Sequence, residues 1–190
     1  KKKKNLALWA LTISAFAVGT TEFVIVGLLP TIAADLGVSI PSAGLLVSLY
    51  ALGVTIGAPV LTAMADRMPR KTLLLLLLAL FTLGNAYAAF APDYGSLVAA
   101  RFITGLAHGV FFAIASTIAT DLVEPEKESS AIALVFLGLT VALVTGVPLG
   151  TFIGQNFGWQ STFLGVVALG VIGFIASAIL VFFFFFKSEG

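Results

Sequence analysis

Three ionisable side chains stand in apolar sequence where their chemistry needs an explanation. Glu22 lies in "GTTEFVIVGLLP" (residues 19–30), inside an apolar run that begins near Leu6. A carboxylate at such a position costs about 2.5–3.5 kcal/mol on insertion scales, so it is protonated, paired or turned toward a cavity. Each of those states suits a group that takes up and releases a proton, and each also suits a hydrogen-bonded bridge between helices. In "RFITGLAHGVFF", Arg101, Gly105, His108 and Phe112 are spaced by four, three and four residues, which puts them on one face of a helix. His108 is the single histidine of the chain, and its side chain ordinarily titrates near neutral pH. Proton coupling is therefore assigned to Glu22, His108 and Arg101. The competing readings are a neutral packing hydrogen bond for His108 and a snorkelling side chain for Arg101, close to the end of its segment.

Tyr50 and Asn85 add hydrogen-bonding groups inside other apolar segments and, with Phe112, are candidates for lining a substrate cavity; the two polar residues are equally able to join helices, and an aromatic such as Phe112 is more often packing. In "MADRMPRK", Asp66, Arg67, Arg70 and Lys71 pack one acid and three bases into a short loop. Asp121 is a partner in reach of Arg70, and the pair would latch one conformation. Gly146, Pro148 and Gly150 mark a helix bend: the prolyl ring removes one backbone hydrogen bond and the glycines permit close helix approach.

The elements that hold these residues follow from composition. Of 190 residues, 59% are hydrophobic and 10% charged, with a mean hydropathy of +1.12. That is more apolar surface than a soluble domain of this size can bury. A bilayer core of about 30 Å needs roughly 20 apolar helical residues, and six stretches qualify, at about 6–29, 43–64, 72–90, 97–119, 131–153 and 162–186. The fold class is an all-α membrane protein of one six-helix domain, 1–190. The stretch after "KKKK" is too long for a signal-peptide core and lacks a small-residue cleavage site, so it reads as a retained span.

"TIAADL" at 31–36 returns as "TIATDL" at 117–122, and "GAP" at 57–59 returns as "GVP" at 146–148. The offsets, 117 − 31 = 86 and 146 − 57 = 89, are nearly equal. Repeat units at about 5–90 and 91–187 follow, and three spans per unit make the repeat inverted, a 3+3 arrangement typical of secondary transporters. At the first offset Glu22 lies over His108. Lys1 to Lys4, Arg67, Arg70, Lys71, Lys127 and Lys187 all fall on one side of a six-span topology. The positive-inside rule then makes both termini cytoplasmic and suits anionic lipid headgroups there.

Several functions are disfavoured. Cysteine is absent and the acids are scattered, so no metal cluster, nucleophile–base pair or cofactor motif is expected, and the chain does not read as an enzyme. The basic residues are spread over short loops rather than gathered into a nucleic-acid-binding face. Neither a ring of charge nor a filter-like loop suggests a channel.

The loop "TAMADRMPRKTLL", with Asp66, Arg67, Arg70 and Lys71 in register, resembles the signature between spans two and three of the major facilitator superfamily. Thr62 and Pro69 depart from it, standing where that pattern usually has glycine. "LVAARFITGLAHG" resembles its span-four signature, "GLTVALVTGVPLGTFIG" its span-five antiporter signature, and "TEFVIVGLLP" the end of span one in bacterial drug and sugar efflux members. The resemblance implies half of a twelve-span proton antiporter that exports sugars or small drugs by alternating access, with Glu22 coupling proton and substrate. It also implies a partner: a second six-helix half or an identical copy, inserted in the same orientation. The location implied is the cell inner membrane. The competing reading is a structural or engineered membrane module without transport of its own, in keeping with the simple runs "LLLLLLALF" and "VFFFFFKSEG".

Overall fold

In hydrocarbon every backbone N–H and C=O must find a partner within its own segment, which favours helix throughout. The computed structural model describes residues 2–65 and 67–186, and among them the regular structure is helical. The helices are α1 (Lys2–Leu36), α2 (Ile40–Ala65), α3 (Arg70–Ala89), α4 (Tyr94–Asp121), α5 (Glu128–Val141), α6 (Val147–Phe157) and α7 (Trp159–Phe186). A 3₁₀ turn, Pro125–Lys127, leads into α5, and a π-helical turn, Ala142–Gly146, joins α5 to α6. Together with α5 and α6 these turns form one span, Pro125–Phe157, so six stretches among the described residues are long and apolar enough to cross a bilayer. These are the six apolar stretches, most of them extended by a few residues, while the third ends one residue earlier, at Ala89. In particular Pro30 does not end α1, which runs to Leu36. It stops at Gly37, whose φ of +63° lets the Val38 N–H turn back onto the Ala33 carbonyl at 3.0 Å.

α4 packs chiefly on α2 and α3, while α1 packs on α5, α6 and α7, and α3 also lies against α7. Exchanging α1 with α4, α2 with α5–α6 and α3 with α7 maps these pairings onto one another, as an inverted 3+3 repeat requires. The register agrees at single residues. A Cβ at Gly105 would overlap the Tyr50 carbonyl oxygen and lie 3.2 Å from the Gly53 Cα; one at Gly19 would lie 2.6 Å from Leu139 Cδ1 and 3.1 Å from Ala142 Cβ. The differences are 105 − 19 = 86, 139 − 50 = 89 and 142 − 53 = 89, the same two offsets that the short repeats carry. Lipid tails supply no hydrophobic drive between helices, so close approach at small residues is what gives these crossings their van der Waals contact.

The apolar core is split. One cluster gathers Leu11, Leu74, Phe81, Phe111 and Ile118; the other gathers Ile25, Leu28, Leu97, Trp159 and Phe163. Between them runs a polar layer containing Thr21, Asn85, Arg101, Thr104 and His108, all buried. Lys1, Asp66 and Lys187 lie outside the described residues.

Candidate functional site: a polar layer between two apolar clusters

The layer is built by α1, α2, α3 and α4. Its centre is His108, which α4 places between two helices. The Tyr50 hydroxyl lies 2.9 Å from Nδ1, and Glu22 Oε2 lies 3.7 Å from Nε2. The two residues matched by the 86-residue offset thus face each other. Glu22 keeps 29% of its side chain exposed against 10% for His108, so the carboxylate sits at the open edge of the layer.

Arg101 does not snorkel. It is 1% exposed, with Nη1 donating to the Thr21 carbonyl at 2.9 Å, Nε to the Leu46 carbonyl at 3.4 Å and Nη2 to the Glu22 carbonyl at 3.5 Å. Its guanidinium carbon stands 4.0 Å from the Tyr50 ring centroid, a cation–π contact. Backbone carbonyls of two neighbouring helices replace the water a snorkelling arginine would seek, and this anchors α4 to α1 and α2.

Asn85 is tied inward as well. Its Oδ1 accepts from the Thr21 hydroxyl at 2.6 Å and its Nδ2 donates to the Phe81 carbonyl at 2.8 Å, bridging α1 and α3. Tyr50, 2% exposed, is equally enclosed. In this conformation neither Tyr50 nor Asn85 reaches an open face. Phe112 is half-buried, with its ring 5.3 Å from His108 and stacked at 5.1 Å on Phe136. Among the described residues no group of three His, Asp or Glu could hold a metal ion.

At the face bearing the chain's N-terminal helix start, Arg70 Nη1 meets Asp121 Oδ2 at 2.7 Å, the pairing expected from sequence. Arg67 is exposed and Lys71 half-buried, while Asp66 lies outside the described residues. On the fifth span, the Val147 N–H bonds to the Ala142 carbonyl five residues back, so the distortion near Pro148 takes the form of a π turn. A Cβ at Gly146 would overlap Thr20, and one at Gly150 would lie 2.7 Å from Val24 Cγ2. Glycines spaced by four drift about 40° per step around an α-helix, and the wider turn takes up part of that drift, keeping both on α1.

Sequence reasoning missed Asp35, whose Oδ2 accepts from Trp159 Nε1 at 2.7 Å and from Gln160 Nε2 at 3.3 Å. The signal was present, since Asp35 is the 86-residue counterpart of Asp121.

A helical membrane half built as an inverted 3+3 repeat, with a polar layer across its middle, defines a class of secondary-transporter architecture. The chain belongs to the Major Facilitator Superfamily, whose sequence pattern matches residues 11–190. It is 58% identical over 180 residues to the MFS-type transporter YtbD of Bacillus subtilis, covering 94% of this chain and 46% of that protein. To the inner membrane transport protein YdhP of Escherichia coli it is 47% identical over 174 residues, covering 92% and 45%. More distant relatives include a chloramphenicol resistance protein of Streptomyces lividans, 41% identical over 85% of this chain and 41% of that protein. A probable sugar efflux transporter of Helicobacter pylori is 35% identical over 92% and 43%. A solved bacterial homologue of the human lysosomal transporter Spinster, inward-facing and unoccupied, has the same fold with a TM-score of 0.78 at 21% identity, covering 96% of this chain and 43% of that one. The chain spans less than half the length of these relatives.

Proposed function

We propose that this chain is one six-helix half of a proton-coupled efflux carrier for sugars or small drugs. It works by alternating access with a second six-helix half or an identical copy, in the bacterial inner membrane with both termini cytoplasmic. The observation that carries the reading is Glu22: a carboxylate at the open edge of an otherwise enclosed polar layer, facing His108. Such a group can exchange a proton with an aqueous cavity while its helix stays in hydrocarbon. Membership of the superfamily and the names of the relatives support transport, export and the inner membrane. The clustering of Lys and Arg in the loops on one side supports the orientation.

Proton binding at Glu22 and substrate binding would antagonise one another, each favouring a different state through its differential affinity. Arg70 and Asp121 would hold the α2–α3 loop against the end of α4 in the state closed on the cytoplasmic side. The test is proton-driven efflux from vesicles with an imposed pH gradient, assayed against sugars and cationic drugs. Glu22→Gln is expected to abolish the proton-driven flux while leaving expression intact, and normal coupled flux in that variant removes the assignment. Mass in detergent distinguishes an isolated half from a dimer.

A further inference from the structure

We infer that Tyr50 fixes the tautomer of His108, so that the histidine turns its N–H toward Glu22 and its bare nitrogen toward the phenol. The Tyr50 hydroxyl is enclosed, and its hydrogen-bond partner among the described residues is His108 Nδ1 at 2.9 Å. One proton lies in that contact, on either the oxygen or the nitrogen. If it sits on Nδ1, the phenol accepts and its own hydrogen loses the partner it has now: the Arg101 guanidinium over its ring only donates, and Glu22, the other charged group in range, already faces Nε2. In that arrangement the bare Nε2 also faces Glu22 Oε2 at 3.7 Å, lone pair toward lone pair when the carboxylate is ionised. If instead the phenol donates to Nδ1, both faults vanish: the hydroxyl hydrogen is satisfied and Nε2–H points at the carboxylate.

Arg101 reinforces the choice. A cation 4.0 Å from the Tyr50 ring centroid draws electron density from the phenol and makes its O–H the better donor. The groups around His108 are Glu22 from α1, Tyr50 from α2, Phe112 along α4, and the Arg101 cation two turns back on α4. On the reading of Glu22 as proton carrier, His108 is a positioning residue rather than a second carrier. Its N–H stands about 0.5 Å beyond hydrogen-bond range of the carboxylate and closes on it when the charge is present.

The chain's single histidine makes the test direct, since ¹⁵N-histidine labelling reports His108 alone. In lipid nanodiscs at neutral pH the wild-type spectrum is expected to show a directly bonded proton on Nε2 and none on Nδ1. Tyr50→Phe keeps the ring over Arg101 and removes the donor; a population of at least a tenth with the proton on Nδ1 is expected to appear. A wild-type spectrum dominated by Nδ1–H overturns the inference without any variant, as does a folded Tyr50→Phe protein with an unchanged spectrum. The carrier reading fails separately: coupled transport surviving in Glu22→Gln would remove it and leave the tautomer assignment standing.

Discussion

Asp35 accepts a 2.7 Å hydrogen bond from the indole of Trp159, and it stands to Trp159 in the repeat as Asp121 stands to Arg70. The acids are 121 − 35 = 86 residues apart and their donors 159 − 70 = 89. Each acid sits at the end of the first long helix of one repeat, and each donor opens the last helix of the other, so the two contacts stitch the repeats together at opposite faces. Their surroundings differ. Trp159 is buried, whereas the Arg70 and Asp121 side chains are 52% and 35% exposed. Trp159→Phe, which deletes the N–H and some packing, should cost about 1–2 kcal/mol. Arg70→Gln should cost about 1 kcal/mol or less, the range of solvent-exposed pairs. Reversible denaturation of both variants in mixed micelles checks the order, and a larger loss for Arg70→Gln would reject it.

The Thr21–Asn85 bond should be energetically coupled. Thr21→Val keeps the shape and leaves Asn85 Oδ1 without its donor inside a buried layer, at about 1–3 kcal/mol. Asn85→Leu should cost less, because the Thr21 hydroxyl can turn to the carbonyl four residues back on its own helix, that of Ala17. A double-mutant cycle is expected to return a coupling of about 0.6–1.5 kcal/mol, within the range seen for hydrogen bonds between membrane helices. Strict additivity would show that the bond contributes nothing.

Much of this was legible in the sequence because it depends on pattern. Six spans follow from apolar length, the inverted repeat from two short echoes, and the Arg70–Asp121 pair from opposite charges near one face. The fate of Arg101 was not, because snorkelling and burial differ only in whether carbonyls of other helices arrive in range, and sequence does not locate the carbonyls of Thr21, Glu22 and Leu46. Asn85 likewise reads the same as a cavity residue or a tie until Thr21 is seen opposite it. The first apolar stretch stops at 29, yet α1 passes through Pro30; what ends it is the left-handed turn at Gly37, which apolar length does not reveal.

The start of α4 should respond to acid. Asp93 caps the helix by accepting from the Ser96 N–H at 2.8 Å. That backbone bond, the largest cause, holds its carboxyl below the usual carboxylate range. A depressed folded value means the cap is present above the ordinary carboxylate pKa and is lost as pH falls through the folded one. Hydrogen exchange at the Ser96 amide, corrected for its intrinsic rate, should therefore speed up on acidification. Asp93→Asn, whose amide oxygen accepts at any pH, should flatten that dependence, and the idea fails if both proteins respond alike.

The crossing of α2 and α4 makes the sharpest demand on residue size. Gly53 and Gly57 of α2 and Gly105 and Gly109 of α4 stand so near the opposite helix that an added Cβ on any of them would run into its backbone. Backbone cannot swing aside as a side-chain tip can, so Gly105→Ala must push the helices apart. The shift would also drag Tyr50, whose carbonyl the added Cβ would strike, away from His108. A loss of about 1–3 kcal/mol is expected, the usual cost of overfilling a packed site. Gly165 in α7 provides the opposite case: nothing lies within 4 Å of where its Cβ would stand. Gly165→Ala should gain about 0.5–1 kcal/mol from restricting the unfolded backbone and favouring helix. Thermal unfolding of the two alanine variants in one detergent compares them directly. Equal midpoints would mean that the α2–α4 contact is looser than the glycine spacing requires.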